Sequence, residues 1–473
     1  MDEFLNVLGE VGQAAIGLLA LPYFYIAVAL VWWHARHTVA LQRRLYHVRL
    51  YSALRLTLVR AGAGLAVGAA LSAIGSGVGA RLSGETLMLL WIAMGVLALF
   101  QLRYICLAYA AGALGLIQFA AERIGFEAAE GPVAEALRML AAVDVPALLF
   151  IAGLLHLAEG MLVRLQNRSL AIPLFLQGKR GKPMGAYALS GVWPVPLLWL
   201  VPASGGGFAL PWTPLFGGAA DAWSLLAFPV LIGFSDRTAS YWPEHKARAS
   251  GNLLMLYGAI LSGLAISAEF FSPLIAVASA AAFLLHEALL WIGRMREAGR
   301  DPLYSQDGTG VKVLAVLPGT PAAELGLQAG ERIRKVNGAV VRNKEELHAA
   351  LQLQSAYCKL EVLNREGHVK FLQRARYQGE HYQLGLIPAP DDDVEFVASP
   401  RSASIWQGLK EFGARRRSSS PTMRLQEARR QAEIAAAEQA AAAEAEAAAR
   451  ARAEKEKAEA GLPPRAAHIR TKS

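Results

Sequence analysis

Apolar runs long enough to cross a bilayer recur along the first 295 residues, and then the pattern changes. A spanning helix needs about 20 apolar residues. Candidate runs lie near 12–33, 58–79, 86–102, 104–121, 143–165, 185–203, 222–234, 252–269 and 273–293. That reads as about eight or nine spans, since 86–121 can form one tight hairpin and 222–234 is short for a crossing. From about residue 308 the runs shorten and are separated by Gly, Pro and Asn, as in strands joined by turns. After Asp391-Asp392-Asp393 apolar periodicity is lost. The expected fold class is an α-helical polytopic membrane bundle over residues 1–295. A linker at 296–307, a small α+β domain at 308–390 and a low-complexity, partly helical tail at 391–473 follow it.

Composition agrees with a membrane chain: 54% of residues are hydrophobic and 18% charged, too apolar for a soluble protein of that charge content. Two cysteines, Cys106 in an apolar run and Cys358 in the small domain, make no disulfide framework and read as inert core residues. Asp2 and Glu3 stand where a signal peptide carries basic residues, so the first run is expected to be an uncleaved anchor. Loop charge orients the runs. Basic residues cluster at Arg43, Arg44, Arg49 and Arg55, and again at Arg164, Arg168, Lys179, Arg180 and Lys182. Further clusters are Arg237, Lys246 and Arg248, then Arg294, Arg296 and Arg300. The intervening loops hold Glu122, Glu127 and Glu130 or the glycines at 205–207. This alternation puts the N-terminus outside and the small domain in the cytoplasm. The stripe AGAGLAVGAALSAIGSGVG at 61–79 reads as a close helix–helix approach rather than a transport path, because intramembrane ionisable pairs are few.

Two His/Glu pairs lie in apolar runs. His286-Glu287 begins the pattern that an intramembrane metalloprotease writes as His-Glu-x-x-His, but the fifth position is Leu290, which cannot hold zinc. His156 and Glu159 are three apart on a helix and share a face, so the two pairs can in principle meet as a di-carboxylate site. Against this stand the missing second histidine and the absence, within the apolar runs, of an Asp-Gly element for a third ligand. A buried polar contact between helices is the plainer reading. No Gly-x-Ser-x-Gly elbow is present, and Gly205 to Gly207 lack the following Lys-Ser/Thr of a phosphate cradle. No catalytic residue, cofactor or metal ligand is assigned.

The small domain decomposes locally. Val311 to Val316 is a β-branched strand and Pro318-Gly319 a turn. Thr320 is placed to N-cap a short helix starting at Pro321, and Gly326 stops it. Gly330 turns the chain into Ile333–Val336, and Asn337-Gly338 is a tight-turn pair. Asn343 and Glu346 have capping-box spacing ahead of a helix whose stripe is Leu347, Ala350 and Leu351. Strands follow at Cys358–Leu363 and His368–Arg374. The spacing of PGTPA, GL, AG and VNG over residues 308–390 resembles a bacterial-type PDZ domain. Such domains hold a peptide as an added strand, its carboxylate on a Gly-Leu-Gly-Phe type loop. Leu384-Gly385-Leu386-Ile387 is similar to that loop, though its position at the end of the domain implies a permuted strand order. The groove then lies between Leu384, Gly385, Leu386 and Ile387 on one side and Leu347 and Leu351 on the other. An ordinary closing strand is the alternative.

The tail carries 15 Lys/Arg against 9 Asp/Glu from Arg401 to Ser473, a net of +6, much of it in an Ala/Glu/Arg run. Ala favours helix, no apolar a/d seam is present, and basic charge beside a membrane favours anionic lipid. Without stacking aromatics, nucleic acid is not expected as a partner.

A multi-span bundle, a His-Glu-bearing last span, then Arg296-Glu297, Pro302-Leu303-Tyr304 and one C-terminal PDZ module together resemble the MinJ family of cell-division determinants. The resemblance covers about residues 10–390 and does not include the Ala/Glu/Arg tail. It implies a non-enzymatic adaptor at the cell membrane, enriched at septa and poles. Such an adaptor bridges DivIVA to the MinCD inhibitor, so that DivIVA-like and MinD-like proteins are its partners. Self-association is left open. The reading from another class is an intramembrane or membrane-tethered protease using the PDZ module to select substrates.

Overall fold

The computed structural model describes residues 2–391 except 47–49, 125–130, 179–180, 204–206, 211, 217–221, 354–356 and 376–383. The chain divides into two compact units, Met1–Arg401 and Ser402–Ser473, and the second lies outside the described residues. The expectations for the tail therefore fall outside them as well.

Helices open the chain: α1 (Asp2–Ala20), α2 (Pro22–Tyr46), α3 (Ala53–Val78), α4 (Gly84–Phe100), α5 (Leu107–Ile124), α6 (Pro132–Ala141), α7 (Val145–Leu165) and a short α8 (Asn167–Leu170). Ser52 caps α3 by accepting from Arg55 N, and Gly79 ends it in the left-handed region at φ 71°. Helix α7 is the hub, its apolar surface almost wholly buried, whereas α2, α4 and α10 turn Trp33, Trp91 and Trp291 outward as lipid-facing helices do. Helices α9 (Pro243–Phe270) and α10 (Leu274–Ala298) complete the bundle. Paired glycines let α7 and α9 touch: a Cβ on Gly251 would meet Gly160 O at 2.7 Å, and one on Gly258 would meet Gly153 O at 2.5 Å.

The expectation of eight or nine spans is corrected. Among the described residues, four helices are long and apolar enough to cross a membrane: α3, α7, α9 and α10. A fifth candidate is the bent pair formed within α1 and α2. Two of the runs read as spans are strands. Residues 185–203 fall almost entirely in β2 (Pro183–Pro202) and 222–234 in β3 (Trp223–Thr238), which pair with β1 (Ala171–Gln177) in the antiparallel order β1-β2-β3. Strand β2 is buried on both faces, with Trp193, Val195, Leu197 and Trp199 almost inaccessible. Such a strand is continuously apolar rather than alternating.

Beyond Leu189, no strand among the described residues pairs β2 on the side away from β3, apart from an isolated bridge between Leu200 and Arg81. In apolar surroundings that edge must be satisfied some other way, and α3 does it. Arg60 donates to Ser190 O at 3.0 Å, Leu198 N donates to Ser72 Oγ at 2.9 Å, and Pro194 and Pro196 have no N–H to satisfy. The small-residue stripe serves this contact. A Cβ on Gly64 would lie 2.0 Å from Pro194 O, one on Gly68 2.2 Å from Pro196 O, and one on Gly75 2.3 Å from the Trp199 ring. The stripe thus seats a strand, not the helix the sequence suggested.

The C-terminal part is built from β4 (Val311–Val316), α11 (Pro321–Glu324), β5 (Arg332–Val336), β6 (Ala339–Val340), α12 (Lys344–Leu353), β7 (Tyr357–Leu363), β8 (Val369–Ala375) and β9 (Leu386–Pro388). Its sheet runs β8-β7-β5-β4-β9, with β6 on β5. Asn337 and Gly338, at φ 51° and 89°, make the expected tight turn between β5 and β6. Asn343 accepts from Glu346 N at 2.8 Å, and Glu346 reaches back to Arg342 N at 2.7 Å, a capping box displaced by one residue. The Thr320 hydroxyl does not cap α11; it donates to Leu317 O at 2.7 Å.

Candidate functional site

Strand β9 is the edge of its sheet, pairing only with β4, and among the described residues no strand covers its outer side. The chain reaches it through Leu384 and Gly385, both in the left-handed region at φ 57° and 78°. Gly385 is required there, because a Cβ would lie 2.3 Å from Thr320 Cβ. The loop is pinned from behind, with Leu317 N donating to Gly385 O and Ala322 N to Leu384 O, each at 2.9 Å.

Leu347 and Leu351 on α12 belong, with Leu384 and Leu386, to the buried core cluster of the domain. Ile387 does not join them. The period-2 alternation of a strand turns it to the opposite face, where it packs with Leu314, Ala315, Leu317, Tyr187 and Tyr304.

That second cluster joins the small domain to the bundle. Tyr304, fully buried, stands against Tyr187 of β2 and Trp242, with ring centroids 5.3 and 5.8 Å away. The Tyr187 hydroxyl donates to Leu314 O, and Gly185 N donates to Tyr304 O at 2.9 Å. The Trp242 ring fills the space left by Gly330 and carries the Arg365 guanidinium 4.2 Å from its centroid. Glu297 at the end of α10 fixes the approach, accepting from Ala239 N at 2.7 Å, Ser240 N at 2.9 Å and the Thr238 hydroxyl. Leu303 N then donates to Ala239 O at 2.8 Å, delivering Tyr304 to its slot. Next in the chain, Asp307 is gripped by Thr309 and by Arg332 at 2.6 Å. Burial opposes its charge, yet these hydrogen bonds and the guanidinium hold its carboxyl below the usual range. Of these residues, Glu297, Leu303 and Tyr304 were singled out from sequence within the strings Arg296-Glu297 and Pro302-Leu303-Tyr304, and Gly330 as a turn. Tyr187 and Trp242 carry no local signal beyond being aromatic.

Inside the bundle the two His/Glu pairs meet through their imidazoles, with ring centroids 5.2 Å apart, while no carboxylate pair forms. Glu287 instead accepts from the Tyr109 hydroxyl at 2.7 Å and pairs with Arg103 at 3.2 Å. Cys106, expected to be inert, lies with its Sγ 3.5 Å from His156 Nε2.

A PDZ domain family model matches residues 312–363. The cell division topological determinant MinJ of Bacillus subtilis (strain 168) is 31% identical over 383 residues, covering 80% of this chain and 94% of that protein. The chain belongs to the MinJ family. Probable MinJ determinants of Lacticaseibacillus paracasei and Lacticaseibacillus casei (strain BD-II) are each 26% identical over 253 residues, 52% of this chain and 66% of theirs. It is therefore a membrane protein of the Min system that carries a PDZ interaction module on several long apolar helices. The strings that carried the MinJ resemblance, Arg296-Glu297 and Pro302-Leu303-Tyr304, are the ones that build the joint between bundle and PDZ domain.

Proposed function

We propose that this MinJ-family chain is a membrane scaffold whose PDZ domain, on the cytoplasmic side, recruits division proteins and so helps place the septum. The observation that carries the proposal is the β9 edge, which no strand among the described residues covers, entered through Leu384-Gly385 in a domain class that binds peptides by strand addition. Leu384, Gly385 and Leu386, with Leu347 and Leu351, are the residues proposed to shape that site, Ile387 facing the bundle instead. Leu50, Trp242 and Leu303 from loops and Phe175 from β1, all near the basic clusters, pack against the cluster beneath the PDZ domain. That gathering supports a cytoplasmic PDZ domain by the excess of Lys and Arg in cytoplasmic loops. By family, the partners are DivIVA-like and MinD-like proteins, which the scaffold bridges at poles and septa.

The test is to image a fluorescent fusion of the full chain in dividing host cells, beside one lacking residues 308–390. Enrichment at septa and poles that is lost on deletion, with misplaced septa, is the expected result. Uniform membrane signal from the full chain with normally placed septa would overturn the proposal.

A further inference from the structure

Three helices of the bundle bring one thiol and two imidazoles to a single point. Cys106 immediately precedes α5, and His156 and His286 lie midway along α7 and α10. One ligand atom from each is within 4.8 Å of those of the other two. The Cys106 Sγ to His156 Nε2 distance of 3.5 Å matches two ligands of one tetrahedral ion. Bonds of about 2.3 Å to sulfur and about 2.0 Å to nitrogen set such a pair roughly 3.5 Å apart.

The surroundings settle how each imidazole is protonated. His156 Nδ1 lies 2.7 Å from Ala152 O, an acceptor only, so Nδ1 carries the proton and Nε2 keeps its lone pair toward Cys106. On α10, the Tyr109 hydroxyl donates to Glu287 and leaves a lone pair facing His286 Nδ1 at 2.8 Å. Nδ1–H of His286 donates into it, which leaves Nε2 as the basic nitrogen. A ligating histidine characteristically gives its other N–H to a carbonyl or, directly or through a relay, to a carboxylate. Both arrangements are present here, and Arg103 holds the carboxylate at the end of the relay. A buried polar contact between helices would need only one of these features; it would not require both imidazoles to be locked in the ligating tautomer beside a thiol.

We propose that Cys106, His156 and His286 form a binding site for a borderline-soft divalent transition metal of the zinc class, pinning α5, α7 and α10 together. One thiolate with two imidazoles selects such an ion over magnesium or calcium, which take oxygen ligands. Cys106 binds as the thiolate, and its proton is released to solvent. Glu159, one helical turn along α7 from His156, is the candidate for the fourth position. The ion's role is structural, holding the bundle beneath the PDZ joint, and it is independent of what the PDZ domain recruits.

The experiment uses the purified full chain in detergent, stripped with chelator and titrated with cobalt(II), then zinc(II). One equivalent of cobalt per chain, with a thiolate-to-cobalt charge-transfer band that zinc abolishes, is the expected result. The band should survive Cys358→Ser and vanish in Cys106→Ser, while His156→Gln and His286→Gln each weaken binding at least tenfold. Because the chain has two cysteines, survival of the band in Cys358→Ser assigns the thiolate to Cys106 even if Cys106→Ser fails to fold. Tyr109→Phe should keep the band and weaken affinity by about 10–100-fold through the lost orientation of His286. Cobalt bound without a charge-transfer band, a band lost in Cys358→Ser, or no stoichiometric binding would each overturn the proposal.

Discussion

The molecule contains two sheets, each with an exposed edge to manage, and it treats them in opposite ways. In the bundle, the free edge of β2 is sealed. Prolines at 194 and 196 delete donors, Arg60 and Ser72 satisfy Ser190 O and Leu198 N, and glycines of α3 bring the helix against the strand. In the PDZ domain, no strand among the described residues covers the outer side of β9, which is entered by a left-handed turn that only Gly385 permits without strain. An unpaired edge is a template for another chain, which proteins ordinarily suppress. That contrast between the two edges is what the proposed peptide site at β9 rests on. Tyr304 lies between the two sheets, so the open edge is held in a fixed orientation on the sealed one.

The largest expected effect is on that joint. Tyr304→Ala removes a fully buried aromatic side chain and is expected to cost about 3–5 kcal/mol, read as early thermal release of the PDZ domain or protease cleavage near residue 304. Tyr304→Phe is the sharpening control. Its hydroxyl has no hydrogen-bond partner among the described residues, so removing it should leave the melting temperature unchanged or slightly raised. Next comes the seal. Gly68→Ala drives a methyl group into the Pro196 carbonyl and should destabilise the bundle by about 1–3 kcal/mol. Gly62→Ala, on the same helix with open space around it, should be neutral or stabilise by up to about 1 kcal/mol. Equal effects from the two glycines would contradict a strand seated on that stripe.

The smallest effect is electrostatic. The Asp307 carboxyl titrates below its ordinary value near 3.8 when folded. Its contribution is therefore complete above that value and fades as pH falls through the folded one. Melting curves recorded from about pH 5 downward should show a small acid-side loss that Asp307→Asn removes.

What could be read from residue order follows from how local each determinant is. The PDZ turns were legible because Asn337-Gly338, Pro321 and Gly326 each fix the backbone by their own chemistry. Ile387 was misplaced among the groove residues only because a strand alternates its faces. The run at 185–203 was read as a helix because a strand buried on both faces shows the same unbroken apolarity as a buried helix. Its prolines at 194, 196 and 202 were the available warning, since they break a helix yet fit a strand edge that a helix covers. The glycine stripe announced close approach but not what approached. Cys106, His156 and His286 come from three separate helices, and nothing short of the packed bundle sets them side by side.

The most direct measurement is septum placement in host cells whose sole copy carries Gly385→Ala. The substitution strains the turn into β9 and leaves the membrane bundle untouched. A fusion that still reaches the membrane but no longer gathers at septa, with septa misplaced, is the predicted result. Normal septa with unchanged enrichment would contradict recruitment through the open edge.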